Sequence, residues 1–216
     1  MADIFDEVSE ELKQDKLIQT WKKYSKIIII VISLIIISLV TYQVYITWNK
    51  KRLEAISAQY FQALENLENK SYSKSHNLFL KNSQNNKSGY GILSLFGLAE
   101  TNYQNGKIDE MILNYKTIYE DQSIDIYYRN LSRILSVFKD NKSSFDQQKL
   151  LLEPILNSPS NLQILAAELE VLLLIKFDKI KEAQTALNVL LERSDISIEQ
   201  KNRLELINKI YKNDAK

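Results

Sequence analysis

The 216-residue sequence has very few of the residues that interrupt regular structure, because only four are Gly and two are Pro. An average chain of this length holds roughly 25 of the two together. All-β sandwiches and barrels need a turn residue roughly every 8–12 positions, and dinucleotide-binding α/β folds need glycine-rich loops. The shortage therefore excludes both classes and predicts an all-α protein.

Residues that carry catalytic chemistry are also scarce. The chain has no cysteine, which excludes disulfides, thiol catalysis and thiolate zinc sites, and its single histidine is His76. No glycine-rich phosphate loop and no metal-spaced cluster of His and acidic residues occurs. Acidic pairs such as Asp109 and Glu110 are adjacent on a helix and do not face each other. We therefore expect no enzyme, no cofactor, no metal and no small-molecule substrate.

The charge balance argues against nucleic acid as a partner. The chain has 28 basic and 27 acidic residues, whereas a surface for phosphate backbones needs a clear basic excess. This near-neutral average hides an uncharged stretch from Ile27 to Ile46. Its twenty residues, at a rise of about 1.5 Å each, span about 30 Å, the thickness of a bilayer core. Aromatic residues flank it on both sides, at Trp21, Tyr24, Tyr42, Tyr45 and Trp48.

These features predict a single transmembrane helix over residues 27–48, between an amphipathic segment (1–26) and a helical domain (49–216). A signal peptide would have a shorter apolar core and a small-residue cleavage site, and a buried core helix is seldom apolar on every face. Basic residues are equally frequent close to both ends, and Lys13 and Lys16 favour a cytoplasmic N-terminus only weakly. In segment 1–26 the apolar residues Ile4, Phe5, Val8 and Leu12 predict a helix that lies on the membrane surface or docks a cytosolic partner.

Beyond the apolar stretch, the sequence repeats a helix–bend–helix pattern. A short helix over 72–80 carries His76, which we expect to be a surface or groove residue. From Leu95 to Tyr119 one helix precedes Gly106, a predicted left-handed C-cap, and another follows it. Gly97 lies inside an apolar helical pattern, where glycine costs about 1 kcal/mol relative to alanine, and so predicts a close approach of two helix backbones.

The same register returns in segment 165–194, where Asp178 takes the place of Gly106 and Val171 the place of Ala99. The offset is about two periods of a helical-hairpin repeat. A middle hairpin is predicted from helices over 127–138 and 145–156, joined by a bend at 140–144. A last helix over 198–211 is expected to cap the array with Leu204, Ile207 and Ile210. The prediction is thus a short solenoid of three hairpins.

Segment 95–119 resembles a tetratricopeptide repeat, although Met111 replaces the usual small residue and Asn102 an aromatic one. The wider chain resembles a bacterial family of membrane-anchored tetratricopeptide-like proteins that includes the ancillary SecYEG translocon subunit. The likeness rests on loose motifs in a shared order. They are the opening Asp3-Ile4-Phe5, then Trp21-Lys22-Lys23-Tyr24, Tyr90-Gly91-Ile92-Leu93-Ser94-Leu95, Leu151-Leu152-Glu153-Pro154 and Leu165-Ala166-Ala167-Glu168.

The resemblance implies a bacterial inner-membrane protein with a cytoplasmic N-terminus and a periplasmic repeat domain. Its implied partners are Sec translocon subunits and periplasmic chaperones or clients. A related branch implies instead a scaffold that coordinates envelope assembly or cell division, and the sequence does not separate the two roles. A membrane-tethered enzyme is a third alternative, which would need a polar pocket with convergent carboxylates.

A helical-repeat domain offers a concave groove lined by the first helix of each hairpin. The repeat register assigns six residues to this groove as partner-binding candidates: Phe96, Glu100, Tyr103, Glu168, Leu172 and Ile175. The alternative is that the apolar ones pack against adjacent hairpins, as most such positions do in stacked repeats.

Overall fold

The computed structural model describes the backbone of residues 2–84 and 89–211, and the side chains of residues 16–84 and 89–211. Within these ranges it contains nine α-helices and no strand, which confirms the all-α prediction. The chain forms two compact units, Met1–Ala55 and Ile56–Lys216.

The helices end close to the predicted positions. Those predicted over 145–156 and 198–211 have these bounds in the structure, whereas the short helix predicted to end at Leu80 continues to Ser83. In chain order the helices are α1 (Ala2–Glu68), α2 (Tyr72–Ser83), α3 (Gly89–Gln104), α4 (Ile108–Glu120), α5 (Ile126–Lys139), α6 (Phe145–Leu156), α7 (Gln163–Lys176), α8 (Ile180–Leu191) and α9 (Ile198–Tyr211).

The first unit consists of the N-terminal part of α1, which includes the uncharged stretch. All apolar side chains from Ile27 to Ile46 are exposed, so the stretch is not the core helix of this fold. By length and composition it is able to cross a membrane, which is compatible with a single-pass anchor. The predicted amphipathic face of Ile4, Phe5, Val8 and Leu12 lies outside the residues whose side chains are described.

The second unit is an array of four helical hairpins, one more than the sequence predicts. The end of α1 pairs with α2, and the pairs α3–α4, α5–α6 and α7–α8 follow, with α9 last. The additional hairpin was not predicted for two reasons. Its first helix belongs to the same helix α1 as the apolar stretch, and its bend carries Lys70 where the recognised repeat has Gly106.

Three of the four bends share one backbone geometry. Lys70, Gly106 and Asp178 have left-handed φ angles of 56°, 74° and 56°. Each donates its N–H to the carbonyl three residues back, and the next residue donates to the carbonyl five residues back, at distances of 2.8–3.0 Å. This is the Schellman motif, which satisfies the last carbonyls of the helix. It confirms the predicted C-cap at Gly106 and the equivalence of Asp178 with it.

The bend between α5 and α6 is built differently, with side chains in place of a left-handed residue. Asp140 Oδ1 accepts hydrogen bonds from the backbone N–H groups of Lys142 (2.8 Å) and Ser143 (3.0 Å). Ser144 then caps α6 in a reciprocal capping box with Gln147. The middle hairpin therefore keeps the hairpin shape but departs from the turn pattern of its neighbours.

Each hairpin buries its apolar surface against the first helix of the next one. Ala63 of α1, Phe79 of α2 and Leu98 of α3 form the first such cluster, and equivalent clusters follow along the array. The last cluster ends on Leu204 of α9, which is fully buried. Ile207 is half-buried there, but Ile210 is exposed, so its predicted role in capping the array is wrong.

Gly97 of α3 allows α2 to pack closely against it. The nearest atoms belong to a side chain of α2, whereas the sequence predicted a close approach of two helix backbones. The aromatic ring of Phe79 from α2 fills the space beside Gly97, and a Cβ added at Gly97 would lie 2.5 Å from Phe79 Cε1 and Cζ. Phe79 is itself fully buried, between Gly97 and Tyr60, whose ring centroid lies 5.7 Å away. The glycine thus lets a large aromatic side chain fill the interface between the first two hairpins.

We predict that Gly97→Ala lowers the free energy of unfolding by about 2 kcal/mol, because the buried Phe79 ring has little room to move. The matched control is Gly89→Ala on the same helix, where an added Cβ meets no atom within 4 Å. Urea unfolding of both variants checks this. Equal stability of the two variants would contradict the prediction, and Phe79→Leu should recover part of the loss in a double-mutant cycle.

Candidate functional site

The six residues predicted to line the groove lie on two helices, α3 and α7, and the structure places α5 between them. Phe96 and Glu100 of α3 contact α5, through the ring of Tyr128 and the ammonium group of Lys139. On the other side, α5 and α7 share an apolar cluster that includes Ile134 and Leu169. We call the surface formed by the first helices of the hairpins, together with α9, the first-helix face.

Two of the six residues take part in packing between helices. The Phe96 ring is half-buried, with its centroid 6.2 Å from that of Tyr115 and 6.4 Å from that of Tyr128. Ile175 is half-buried against the cluster formed by Val171, Leu187, Leu190 and Leu204. At these two positions, the structure agrees with the alternative prediction, in which the apolar side chains pack within the array.

Glu100 and Tyr103 form a polar cluster with Lys139 of α5. The Lys139 ammonium group donates a hydrogen bond to Glu100 Oε2 and lies 4.2 Å from the centroid of the Tyr103 ring. Burial by itself raises the pKa of Glu100, but hydrogen bonds from Gln104 and Lys139 outweigh it and lower the pKa below its usual value. The cluster therefore holds a carboxylate, an ammonium group and an exposed aromatic ring together on the first-helix face.

The remaining two predicted residues, Glu168 and Leu172, line a groove between α5, α7 and α9. Its volume is about 330 Å³, and we call it the apolar groove. Apolar side chains from α5 and α7 form most of its lining, and one acidic and one basic side chain complete it. The lining residues are Ile134, Leu135, Phe138, Leu165, Glu168, Leu169, Leu172 and Arg203.

The apolar groove is open to solvent despite its composition. Phe138 is 67% exposed, Leu165 40% and Leu172 39%, although each is a large apolar residue. Single exposed apolar residues are common on proteins, but several that line one groove are typical of a binding surface. The arrangement is chemically suited to holding apolar side chains of another molecule.

The charged pair in the groove joins α7 to the terminal helix α9. The Arg203 guanidinium group donates two hydrogen bonds to the Glu168 carboxylate, from Nε to Oε1 at 2.9 Å and from Nη2 to Oε2 at 2.8 Å. The Glu168 side chain is only 10% exposed, and the Arg203 guanidinium group offsets part of the cost of removing this carboxylate from water. These hydrogen bonds raise the pKa of Arg203 further. Glu168 thus holds α9 against the groove.

The sequence prediction missed Phe138, Leu165 and Arg203. Phe138 belongs to the middle hairpin, whose bend at Asp140 shifts the register relative to the hairpins that end on Gly106 and Asp178. Residues of α5 therefore could not be aligned to groove positions. Leu165 lies one helical turn before Glu168 on the recognised helix α7, so helical spacing alone was a signal for it. Arg203 lies on the capping helix, to which the sequence assigned only an apolar role.

The comparisons with known proteins agree with this architecture. A family model described as a tetratricopeptide repeat-like domain matches residues 19–206. No curated protein and no solved structure matches the chain.

We predict that Arg203→Ala loosens α9, because it leaves the Glu168 carboxylate without its bidentate partner. Amide hydrogen exchange of residues 198–211 should become about fivefold faster, while exchange in α3 and α4 stays unchanged. Lys209→Ala is the control, since Lys209 is an exposed cation on the same helix. If both variants exchange alike in α9, the ion pair does not hold the helix.

Proposed function

The chain belongs to the tetratricopeptide repeat-like family, and on this premise we propose that it is a membrane-anchored scaffold that binds protein partners through the apolar groove. Helical-repeat domains of this kind generally act in protein–protein interaction, since stacked hairpins present extended surfaces. The exposed apolar lining of the groove is the observation that carries the proposal. We propose a binding role without catalysis.

The groove favours a partner segment with apolar side chains at regular spacing. Burying apolar surface contributes about 25 cal/mol per Å², so covering Phe138, Leu165 and Leu172 provides a substantial driving force. An amphipathic helix or an extended peptide supplies such side chains. The Glu168–Arg203 pair at the same groove gives polar groups that select orientation.

The exposed apolar stretch of α1 supports the membrane part of the proposal. A single-pass anchor confines the binding domain to a surface, which raises the effective concentration of its partners there. We propose a bacterial inner membrane, a cytoplasmic N-terminus and a periplasmic repeat domain. Support for this comes from the family resemblance of the N-terminal motifs and the weak excess of lysine before the stretch.

Within this role, we propose an ancillary place at the Sec translocon, where the domain tethers periplasmic chaperones or clients. The support is the joint order of acidic opening, anchor and repeats, which resembles the family that includes the translocon subunit. A scaffold for envelope assembly or cell division has the same architecture and is the alternative that the partner experiment below distinguishes.

We expect a photo-crosslinker at Leu172 to capture partners in intact cells, whereas one at Leu113 does not. Both residues are exposed leucines, but Leu113 lies on α4, outside the groove. Leu172→Asp should reduce partner recovery from solubilised membranes about tenfold, and Leu113→Asp should leave it unchanged. Recovery of Sec channel subunits supports the translocon role, and recovery of division or wall-synthesis proteins supports the alternative. Equal crosslinking at both positions would contradict a groove-based interaction.

The proposed topology predicts that protease added to spheroplasts digests residues 56–211 without lysis. A cytosolic protein serves as the control for intact membranes. Protection of the repeat domain until the cells are lysed would place it in the cytoplasm, and the periplasmic part of the proposal would then be wrong.

A further inference from the structure

The terminal helix α9 continues the apolar groove beyond Arg203. Leu206 and Ile210 follow Arg203 by three and seven residues, a spacing that places all three on one side of the helix. Leu206 is 60% exposed and Ile210 56%. The other side of α9 packs on the array through Leu204 and Ile207. The first-helix face therefore carries apolar side chains from α5 across α7 to α9.

Closing the array does not explain the two exposed apolar residues of α9. A helix that only caps a repeat array is apolar toward the preceding hairpin and polar elsewhere. Leu206 and Ile210 are instead exposed on the side of α9 that carries Arg203. We call the full set of exposed apolar residues on this face the extended groove: Phe138, Leu165, Leu172, Leu206 and Ile210. Such a group on three neighbouring helices is typical of a surface that binds another protein.

The spacing of α5, α7 and α9 favours a helical partner over an extended strand. Each helix packs on the next of the three, and axes of packed helices lie about 8–10 Å apart. Two turns of an α-helix, about seven residues, advance about 10 Å, so residues at this spacing on one side of a partner helix reach successive helices of the array. A strand covers the distance in about three residues, whose side chains point to opposite faces.

The composition of the extended groove argues against a polyproline helix, although its three-residue repeat also matches this spacing. Grooves that bind polyproline helices are lined by aromatic side chains. Phe138 is the one aromatic member of the extended groove, and its other members are leucine or isoleucine. An aliphatic lining of this kind suits the apolar face of an amphipathic helix.

Arg203 lies beside these apolar residues and has a donor available for a partner. Its Nε and Nη2 atoms donate to Glu168, whereas Nη1 has no acceptor among the described residues. The Arg203 side chain is 53% exposed. Glu199 lies one turn earlier on α9 without forming an ion pair with Arg203. A partner carboxylate is therefore able to bind Nη1 without displacing Glu168.

We propose that the extended groove binds an amphipathic α-helix of a partner protein. This helix crosses α5, α7 and α9, with apolar side chains about seven residues apart and a carboxylate at Arg203. The inference rests on the proposed function, because it names the class of partner for the same groove. An extended segment and a second copy of the chain are the occupants that would contradict it.

The first test measures peptide binding to the full chain in lipid nanodiscs, with empty nanodiscs as the blank. One peptide is held helical by a side-chain staple and carries leucines two turns apart and one aspartate. A second peptide has the same composition but leucines at alternate positions, which suits a strand. The helical peptide should bind at least about tenfold more tightly, and asparagine in place of its aspartate should weaken binding about threefold. Equal binding of the two peptides would overturn the helical partner, and no effect of asparagine would overturn the carboxylate at Arg203.

Variants of α9 test whether the surface extends onto this helix. Leu206→Asp/Ile210→Asp should weaken binding of the helical peptide at least about tenfold. The matched control is Leu113→Asp/Val189→Asp, which adds the same charge at exposed apolar residues of α4 and α8 and should change binding less than about twofold. Thermal unfolding checks that both variants fold, and Leu206→Gln/Ile210→Gln replaces the first one if the aspartates destabilise α9. Equal effects of the two double variants would overturn the extension.

Crosslinking in intact cells separates this inference from the proposed function. Photo-crosslinkers at Leu172 and Leu206 should react with sites about seven residues apart in one partner, as located by mass spectrometry. Sites about three residues apart would show an extended segment, and crosslinks between two copies of the chain would show a dimer; both outcomes overturn the inference. Capture at Leu172 without capture at Leu206 also overturns it but leaves the proposed function intact. Capture at neither position contradicts the proposed function itself.

Discussion

Every hairpin of the second unit depends on its neighbour, because one apolar face stays uncovered until the next hairpin packs on it. Ala63, Phe79 and Leu98 illustrate this, since they come from three successive helices and form one buried cluster. Such an array has no central core, and its stability is distributed over the interfaces between repeats. The terminal helix α9 ends the array by burying Leu204 and by pairing Arg203 with Glu168.

The helical architecture could be predicted from the sequence because its main signals are local. Helical periodicity predicted the helices, and Gly106 predicted the bend of the hairpin in segment 95–119. Asp178 was recognised as the equivalent of Gly106 in segment 165–194, although its side chain is different. Lys70 has the same left-handed backbone conformation, but no feature of the sequence predicts this conformation at Lys70. For this reason, and because its first helix continues the helix that contains the apolar stretch, the first hairpin was missed. A left-handed conformation at a non-glycine residue is enforced by the turn as a whole, and a single residue type does not reveal it.

The binding surfaces were harder to predict because they depend on contacts between repeats. Helical register assigned Glu168 and Leu172 to the first-helix face, but not the exposure of Phe138 or the approach of Arg203. A polar cavity of about 610 Å³ likewise combines side chains from α2, α3 and α4, and no motif in the chain marks it. A sequence with almost balanced charge thus still places three lysines at one cavity.

Contact between successive helices also has a consequence for how the chain reaches this structure. The helices pack on their immediate or next neighbours in the sequence, so folding requires few distant segments to meet. Chains with such a low contact order fold rapidly. Each hairpin is able to pack on the preceding one in the order in which the chain is synthesised. This order of folding suits a protein that emerges gradually from a ribosome or a channel.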